Sequence, residues 1–136
     1  MDRIRYRSVI TTGLALLSAL GLAGCSLFTT IVDVSDNGSV QQLKVGDLFV
    51  VQLEGNASTG YEWVRVEPAS LEGSPVDIVK ESDYEDLGTP MPGSPGEFLF
   101  RYRAMRPGTV TLGFEYRRPW DTDDPIDSYS VTVWVQ

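Results

Sequence analysis

The sequence contains no histidine and a single cysteine, Cys25, among its 136 residues. Without histidine, nucleophilic centres of the Ser-His or Cys-His type are excluded, and so are most zinc sites. With one cysteine an intramolecular disulfide is impossible, and the free thiol of an exported chain would need an explanation. Basic residues are also scarce, because 11 Lys and Arg stand against 19 Asp and Glu. This balance argues against a nucleic-acid partner, which requires positive charge to bind phosphates.

The N-terminal segment differs from the rest of the chain. Arginines at positions 3, 5 and 7 precede an apolar run of 15 residues at positions 9–23, VITTGLALLSALGLA. This order is typical of a secretory signal peptide. The run is shorter than the roughly 20 residues that a membrane-crossing helix needs. We therefore expect residues 1–24 to be a signal peptide that is removed, with a permanent N-terminal anchor helix as the alternative.

The end of this segment, LAGC at positions 22–25, resembles the bacterial lipobox, where the cysteine is lipidated and the chain is cut before it. The resemblance implies lipid attachment at Cys25 and explains the lone thiol. Ser26 follows in place of Asp, which in lipoproteins of two-membraned bacteria favours the outer membrane. We therefore expect a lipoprotein anchored in the bacterial envelope, facing the periplasm or the cell surface, with residues 25–30 as lipidated cysteine and short tether.

Removal of residues 1–24 would leave 8 basic and 18 acidic residues, a net charge of about −10. That charge argues against electrostatic attachment to anionic lipid, so that attachment would depend on the acyl chains. The remaining length suits one domain, residues 31–136, which we expect to be monomeric. We expect no cofactor and no metal site.

Hydrophobic residues alternate with polar ones through most of this domain. Phe98, Phe100 and Tyr102 alternate with Arg101 and Arg103, a pattern that places one face of a strand on a core. Strands are predicted at residues 31–34, 43–45, 48–53, 61–66, 76–80, 97–104, 109–117 and 128–136. Outside the signal peptide no window has a sustained helical period. Seven or eight short strands predict an all-β fold, an antiparallel β-sandwich.

Three connections carry unusual side chains for plain turns. They are NASTGY at 56–61, the acidic and then Pro- and Gly-rich connection 81–96, and RRPWDTDDPID at 117–127. Because a sandwich gathers its loops at two ends, such loops can form one surface. Trp120 stands outside the alternating pattern, beside Pro119. Either it is exposed for a partner, as interface Trp residues are, or it folds back over the sheet edge.

Together the three loops resemble the chagasin family of cysteine peptidase inhibitors. NASTGY is similar to the family's NPTTGY-type motif, GSPG at 93–96 to its GxGG-type motif, and Arg118-Pro119-Trp120 to its RPW motif, in the family's order. The resemblance spans residues 32–136. It implies an immunoglobulin-like sandwich, not an enzyme, that reversibly inhibits papain-like cysteine peptidases by placing three loops in the active-site cleft.

Residue by residue, the resemblance implies a central loop aimed at the catalytic cysteine, with one flanking loop on each side and Trp120 near the catalytic histidine. The implied peptidase-binding residues are Asn56, Ser58, Thr59, Gly60 and Tyr61; Gly93, Ser94, Pro95 and Gly96; and Arg118, Pro119 and Trp120. Tyr61 opens a strand and is expected to anchor the loop base. Ala57 replaces the family's Pro and removes a backbone restraint, and Pro95 replaces a Gly and removes an N–H donor.

Other interpretations remain open from the sequence. An enzyme could use a pair of carboxylates, as glycosidases do. The segment DTDDPID could hold calcium, but it lacks the Gly at position 6 and the Glu at position 12 of an EF-hand loop. The main alternative is a lipid-anchored, non-inhibitory β-sandwich that binds another partner in the cell envelope, since fold does not fix function.

Overall fold

The computed structural model describes residues 27–88, 91 and 93–136. The predicted signal peptide and Cys25 lie outside the described residues. The described chain forms strands β1 Thr29–Val32, β2 Val40–Leu43, β3 Leu48–Gly55, β4 Glu62–Glu67, β5 Val76–Asp86, β6 Gly96–Ala104, β7 Gly108–Arg117 and β8 Asp127–Val135. Two 3-10 helical turns, Val34–Asp36 and Ala57–Thr59, complete it. No helix in this part of the chain is long and apolar enough to cross a membrane.

The strands form two four-stranded sheets, in the orders β1-β3-β6-β5 and β2-β8-β7-β4. The predicted all-β sandwich is therefore confirmed. The sheets are not wholly antiparallel, because β1 pairs parallel with β3 and β2 pairs parallel with β8. Each parallel strand is a four-residue edge strand. The central pairs β3–β6 and β7–β8 are antiparallel, as expected.

The core lies between the sheets and is built from the alternating positions. Phe100 and Phe114, on opposite sheets, bring their ring centroids within 4.7 Å. Tyr102, Phe49 and Leu112 are fully buried beside them. Each buried Phe or Leu side chain contributes roughly 1.5–3 kcal/mol on burial. The period-two pattern thus identifies the core face of the central strands correctly.

The prediction of a loop from residue 81 onwards was wrong, because β5 continues to Asp86. The backbone of the acidic segment pairs with β6 as far as Asp86, and cross-strand partners bind its carboxylates. Arg101 on β6 binds Asp83 at 3.2 Å and Glu85 at 3.1 Å. The Lys80 side chain also hydrogen-bonds Asp83 and holds the pKa of that carboxyl below its usual range. Charged side chains are common on an edge strand, where they discourage pairing with other chains.

The predicted strand at 43–45 is also displaced, since β2 ends at Leu43. A turn follows it, in which Asp47 N–H donates to the Lys44 carbonyl at 3.0 Å. The Asp47 carboxylate accepts the Lys44 N–H at 2.8 Å and so holds the turn closed. At the N-terminus the difference is smaller: β1 begins at Thr29, inside the segment expected to be tether.

The strand directions give the sandwich two distinct ends. The connections β3–β4, β5–β6 and β7–β8 all lie at one end, where Gly55 pairs with Gly96 and Tyr116 with Asp127. We call this the loop end. The chain enters at the opposite end, because Thr29 pairs with Leu48 at the start of β3. All three motif-bearing loops therefore lie on the side of the domain away from its first described residue.

Candidate functional site

The central loop, residues 56–61, is a 3-10 turn held by its own side chains. The Asn56 side-chain oxygen accepts the Ser58 N–H at 3.0 Å and the Ser58 hydroxyl at 2.6 Å. The Thr59 hydroxyl donates to the Asn56 carbonyl at 2.7 Å. Gly60 ends the turn at φ +79°, a left-handed conformation that favours glycine. Asn56, Ser58, Thr59 and Gly60 thus each have a local role in shaping the loop.

Asn56 also joins the central loop to the β5–β6 loop. Its Nδ2 donates to the Gly93 carbonyl oxygen at 3.0 Å. Gly96, at the other end of the GSPG segment, pairs with Gly55 at the base of the central loop. A side chain at Gly96 would overlap the Tyr84 hydroxyl and lie 2.8 Å from the Glu85 carbonyl oxygen. Residues 93–96 are therefore placed against the central loop by both side-chain and backbone contacts.

The remaining residues of GSPG face outward to different extents. Gly93 and Pro95 are exposed, and Ser94 is half-buried. Gly93 has φ +91°, and the Ser94 N–H donates to the Met91 carbonyl at 3.1 Å. This segment is a compact turn whose glycine is required by its backbone conformation.

Tyr116, which the sequence analysis did not single out, lies beneath the site. Its hydroxyl accepts the Asn56 N–H at 3.0 Å, across 60 residues of chain. Its ring stacks on Trp63, with centroids 5.2 Å apart, and packs against Tyr61 at 5.6 Å. The sequence clue to this role is the position of Tyr116 in FEYRRPW, two residues before the RPW motif. The structure therefore connects the start of the third loop to the base of the central one.

Tyr61 connects the central loop to Arg118. The Arg118 guanidinium carbon lies 4.8 Å from the centroid of the Tyr61 ring, a cation–π contact. The half-buried Tyr61 ring also packs against Tyr116, so it contacts both the base of the central loop and the third loop.

Trp120 is 75% exposed, so it does not fold back as a cover over the sheet edge. A Cβ placed on Gly60 would lie 3.5 Å from Cη2 of its indole ring. The indole therefore lies beside the tip of the central loop, with its surface open to a partner. Arg118 and Pro119 are exposed next to it. Of the two interpretations of Trp120 left open by the sequence, the structure supports the exposed one.

Carboxylates surround these loops. The acidic residues of the loop end, all exposed or half-buried, are Glu54, Glu62, Glu85, Asp86, Glu97, Asp121, Asp123, Asp124 and Asp127. Arg117 and Arg118 are the basic residues of the third loop and its base. Within the residues that the structure describes, no three His, Cys, Asp or Glu side chains are grouped to hold a metal ion. These nine acidic residues form a negatively charged border around the three motifs, which we call the acidic border.

The fold and the three adjoining loops define a class of protein: a β-sandwich with one compact edge of loops. A family model of chagasin family peptidase inhibitor I42 matches residues 42–133. The chain is 27% identical over 107 residues to amoebiasin-2 of Entamoeba histolytica, covering 78% of this chain and 85% of that one. It is also 27% identical to chagasin of Trypanosoma cruzi over 105 residues, 77% and 94% of the two chains.

The chain is also similar to solved structures of cysteine protease inhibitors. The crystal structure of the cysteine protease inhibitor EhICP2 from Entamoeba histolytica superposes with a TM-score of 0.71 at 23% identity, over 83% of this chain and all of that one. That likeness concerns the fold. The Leishmania mexicana ICP is 28% identical, with a TM-score of 0.52 over 71% and 86% of the chains. PbICP-C, solved in complex with falcipain-2, is 25% identical with the same TM-score over 82% and 93%.

This chain belongs to the chagasin family of peptidase inhibitors. It is an inhibitor of papain-like cysteine peptidases and not an enzyme.

Proposed function

We propose that the chain inhibits its target reversibly by inserting the three loops of the loop end into the active-site cleft. The observation that carries the proposal is the joining of the loops into one edge. Asn56 bonds Gly93 on one side, and Trp120 lies against Gly60 on the other. The proposed contact residues are Asn56, Ser58, Thr59, Gly60 and Tyr61; Gly93, Ser94, Pro95 and Gly96; and Arg118, Pro119 and Trp120.

The central loop is suited to blocking the catalytic thiolate of a cleft without presenting a peptide bond that the thiolate can attack. A papain-like enzyme needs a substrate carbonyl in line with its thiolate. Thr59, exposed at the loop tip, fills space and offers a hydroxyl, and its own hydrogen bond to Asn56 keeps the turn closed. A backbone locked in a 3-10 turn does not lie extended in the cleft as a substrate does. Inhibition therefore needs no reacting group on the inhibitor.

Rigidity favours tight binding because little conformational entropy is lost on association. The loops are held by side-chain hydrogen bonds, by the Tyr116 hydroxyl and by the β-strands that they connect. Trp120 is the proposed anchor, since a large exposed aromatic side chain that becomes buried dominates many interfaces. It would lie near the catalytic histidine of the enzyme. Pro95 has no N–H to donate, so the GSPG turn would contribute shape complementarity rather than a hydrogen bond.

We further propose that the protein acts as a monomer anchored by lipid on Cys25 in a bacterial envelope, on the outer membrane. The likeness of residues 22–25 to the lipobox and the basic and apolar segment before it support this location. The target would then be a peptidase of the periplasm or one met at the cell surface.

A charge placed at the loop tip tests the proposed site. Thr59→Glu introduces a carboxylate that the cleft must desolvate, and it should raise the inhibition constant for papain at least about tenfold. Thr109→Glu adds the same charge at an exposed position of β7 far from the loop end and should leave the constant unchanged. Mass spectrometry should recover the inhibitor uncleaved. Equal constants for both variants, or cleavage within residues 56–61, would contradict this mode of binding.

A further inference from the structure

At the end of the sandwich opposite the loops, three chain segments are joined by hydrogen bonds. Phe28 is fixed there, because its carbonyl accepts the Leu48 N–H at 2.9 Å and its N–H donates to the Asp47 carboxylate at 3.2 Å. The turn after β2 and the end of β6 lie beside it, since Gly46 N–H donates to the Ala104 carbonyl at 2.8 Å. Hydrogen bonds thus join the chain entry, residues 44–47 and residues 104–106 into one surface.

This surface exposes large apolar side chains from all three segments. The residues are Leu27 at 62% exposure, Phe28 at 58%, Val45 at 49% and Met105 at 43%. We call these four residues the entry patch. Contiguous exposed apolar patches are typical of surfaces that bind a protein or a membrane.

The occupant is indicated by the chain that precedes the patch. Cys25 is three residues before Phe28, whose backbone is already fixed to the fold. An extended chain spans at most about 3.6 Å per residue, so Cys25 can lie no more than about 11 Å from Phe28. Acyl chains on Cys25 would therefore hold the entry patch at the surface of the bilayer. A tether this short leaves little room for the domain to turn over.

The charges of the two ends favour the same orientation. The entry end is close to neutral, because three basic residues, Lys44, Arg103 and Arg106, are balanced by three acidic residues, Asp47, Glu72 and Asp77. The loop end carries the acidic border described above. Strand β3 has eight residues and separates the ends by about 26 Å, well beyond the screening length of about 8 Å at physiological salt. If the domain tips over, the acidic border enters the field of anionic lipids and is repelled.

We propose that the entry patch lies against the lipid surface, so that the three inhibitory loops point away from the membrane. The inference rests on the proposed lipid attachment at Cys25. Phe28, Val45 and Met105 would sit in the headgroup region, where apolar side chains add to the affinity of a lipid anchor. A peptidase approaching from the aqueous side then meets the loop end unobstructed.

Attachment of the mature chain through Cys25 to vesicles tests this orientation, since Cys25 is the sole cysteine. The vesicles are phosphatidylcholine with a maleimide-bearing phosphatidylethanolamine. Amide hydrogen exchange should slow at residues 44–48 and 104–107 on attachment and stay unchanged at residues 56–61 and 118–126. Protection at the loops, or none at the entry end, would overturn the proposal.

Two variants test whether the entry patch itself causes the protection. F28S/V45S/M105S should lose the added protection and keep its inhibition of papain, whereas V40S/I78S, which changes exposed apolar residues elsewhere, should retain the protection. Retained protection in the triple variant would contradict the role of the patch.

Inhibition by the attached protein gives a second readout. Attachment through Cys25 should leave inhibition of papain intact, whereas attachment of C25S/T122C through the loop end should weaken it at least about tenfold, because the geometry forbids simultaneous engagement. Loss of inhibition on attachment through Cys25 would contradict the orientation. Failure of the free protein to inhibit would instead contradict the proposed function, and the exchange experiment would still test the orientation.

Discussion

Asn56 Nδ2 donates a hydrogen bond to the Gly93 carbonyl oxygen at 3.0 Å and so connects two loops that are 37 residues apart. The same side chain accepts from Ser58 N–H through Oδ1. One amide thus shapes the central loop with its oxygen and fixes the flanking loop with its nitrogen. The two functions can be separated by substitution.

Asn56→Asp keeps the oxygen that caps the turn and removes the donor to Gly93. The new carboxylate also faces the Gly93 carbonyl oxygen, an unfavourable pairing. We expect inhibition to weaken by about 0.5–1.5 kcal/mol, the net contribution of a typical hydrogen bond, because this one is exposed. Asn56→Ala, which loses both interactions, should weaken inhibition further. An inhibition constant for Asn56→Asp equal to wild type would show that the link between the loops does not contribute to binding.

Trp120→Ala should weaken inhibition by about 2 kcal/mol or more, as expected for a residue that anchors an interface. Because the indole is 75% exposed, the free energy of unfolding should change little. Trp134→Ala provides the matched control, since Trp134 is 41% exposed on β8 and lies away from the loop end. The inhibition constants for papain distinguish the two. Equal effects of both substitutions would remove Trp120 from the binding surface.

Ala57→Pro should stabilise the protein by about 0.4–1 kcal/mol, because it restricts the unfolded chain at a position that already suits proline. Ala57 is the first residue of the 3-10 turn, and Asn56 before it is extended, at φ −123° and ψ 101°. Among the described residues no backbone carbonyl accepts the Ala57 N–H. Urea unfolding checks the gain. Destabilisation would show that the turn cannot accommodate the ring.

Inhibition by Ala57→Pro should change little. The loop is already fixed by the hydrogen bonds of Asn56, Thr59 and Tyr116, so the missing proline of the family motif does not leave it loose. A large gain in affinity would show that these bonds do not restrain the free loop.

Tyr129→Phe should be neutral or stabilising by up to about 1 kcal/mol, since the buried Tyr129 hydroxyl has no hydrogen-bond partner within the described chain. Burial raises the pKa of Tyr129 above its usual value of 10.0, and the nearby Asp36 and Asp33 add to the shift. The neutral form is therefore favoured in the folded state. Ionisation of Tyr129 therefore leaves the free energy of unfolding unchanged below about pH 10 and lowers it as the pH rises further.

Thermal unfolding at neutral pH and near pH 11 tests this account. The variant should lose less stability than wild type at the alkaline pH. Tyr116→Phe is the contrasting change, because it removes the hydroxyl that bonds Asn56 and should cost about 1 kcal/mol at neutral pH. Equal alkaline losses for wild type and Tyr129→Phe would contradict the assignment.

The sequence predicted the central strands and the core because a single periodic signal determines both. Phe100 and Tyr102 alternate with Arg101 and Arg103, and Phe98 continues the same face, so all three aromatic residues are buried. The extension of β5 to Asp86 could not be predicted from its own residues. ESDYED has the composition of a loop, but its backbone pairs with β6, and Arg101, some 16 residues away, binds two of its carboxylates. The parallel edge strands β1 and β2 likewise depend on partners distant in sequence.

At the site, the motifs predicted which loops come together, but not how. The bond from Asn56 to Gly93 and the position of Trp120 beside Gly60 depend on loop conformations that residue types alone do not determine. Tyr116 was missed because it continues a regular alternation and looks like an ordinary core residue. Its hydroxyl, however, reaches the central loop across the sandwich.

The most direct test of the central claim is a titration of papain with the soluble domain, followed with a fluorogenic substrate. We predict that near-stoichiometric amounts of inhibitor abolish activity and that activity returns on dilution. Trp120→Ala and Thr59→Glu should each need a large excess, with Trp134→Ala and Thr109→Glu behaving as wild type. Full activity of papain and of cathepsin-like peptidases at an excess of the wild-type domain would contradict the account.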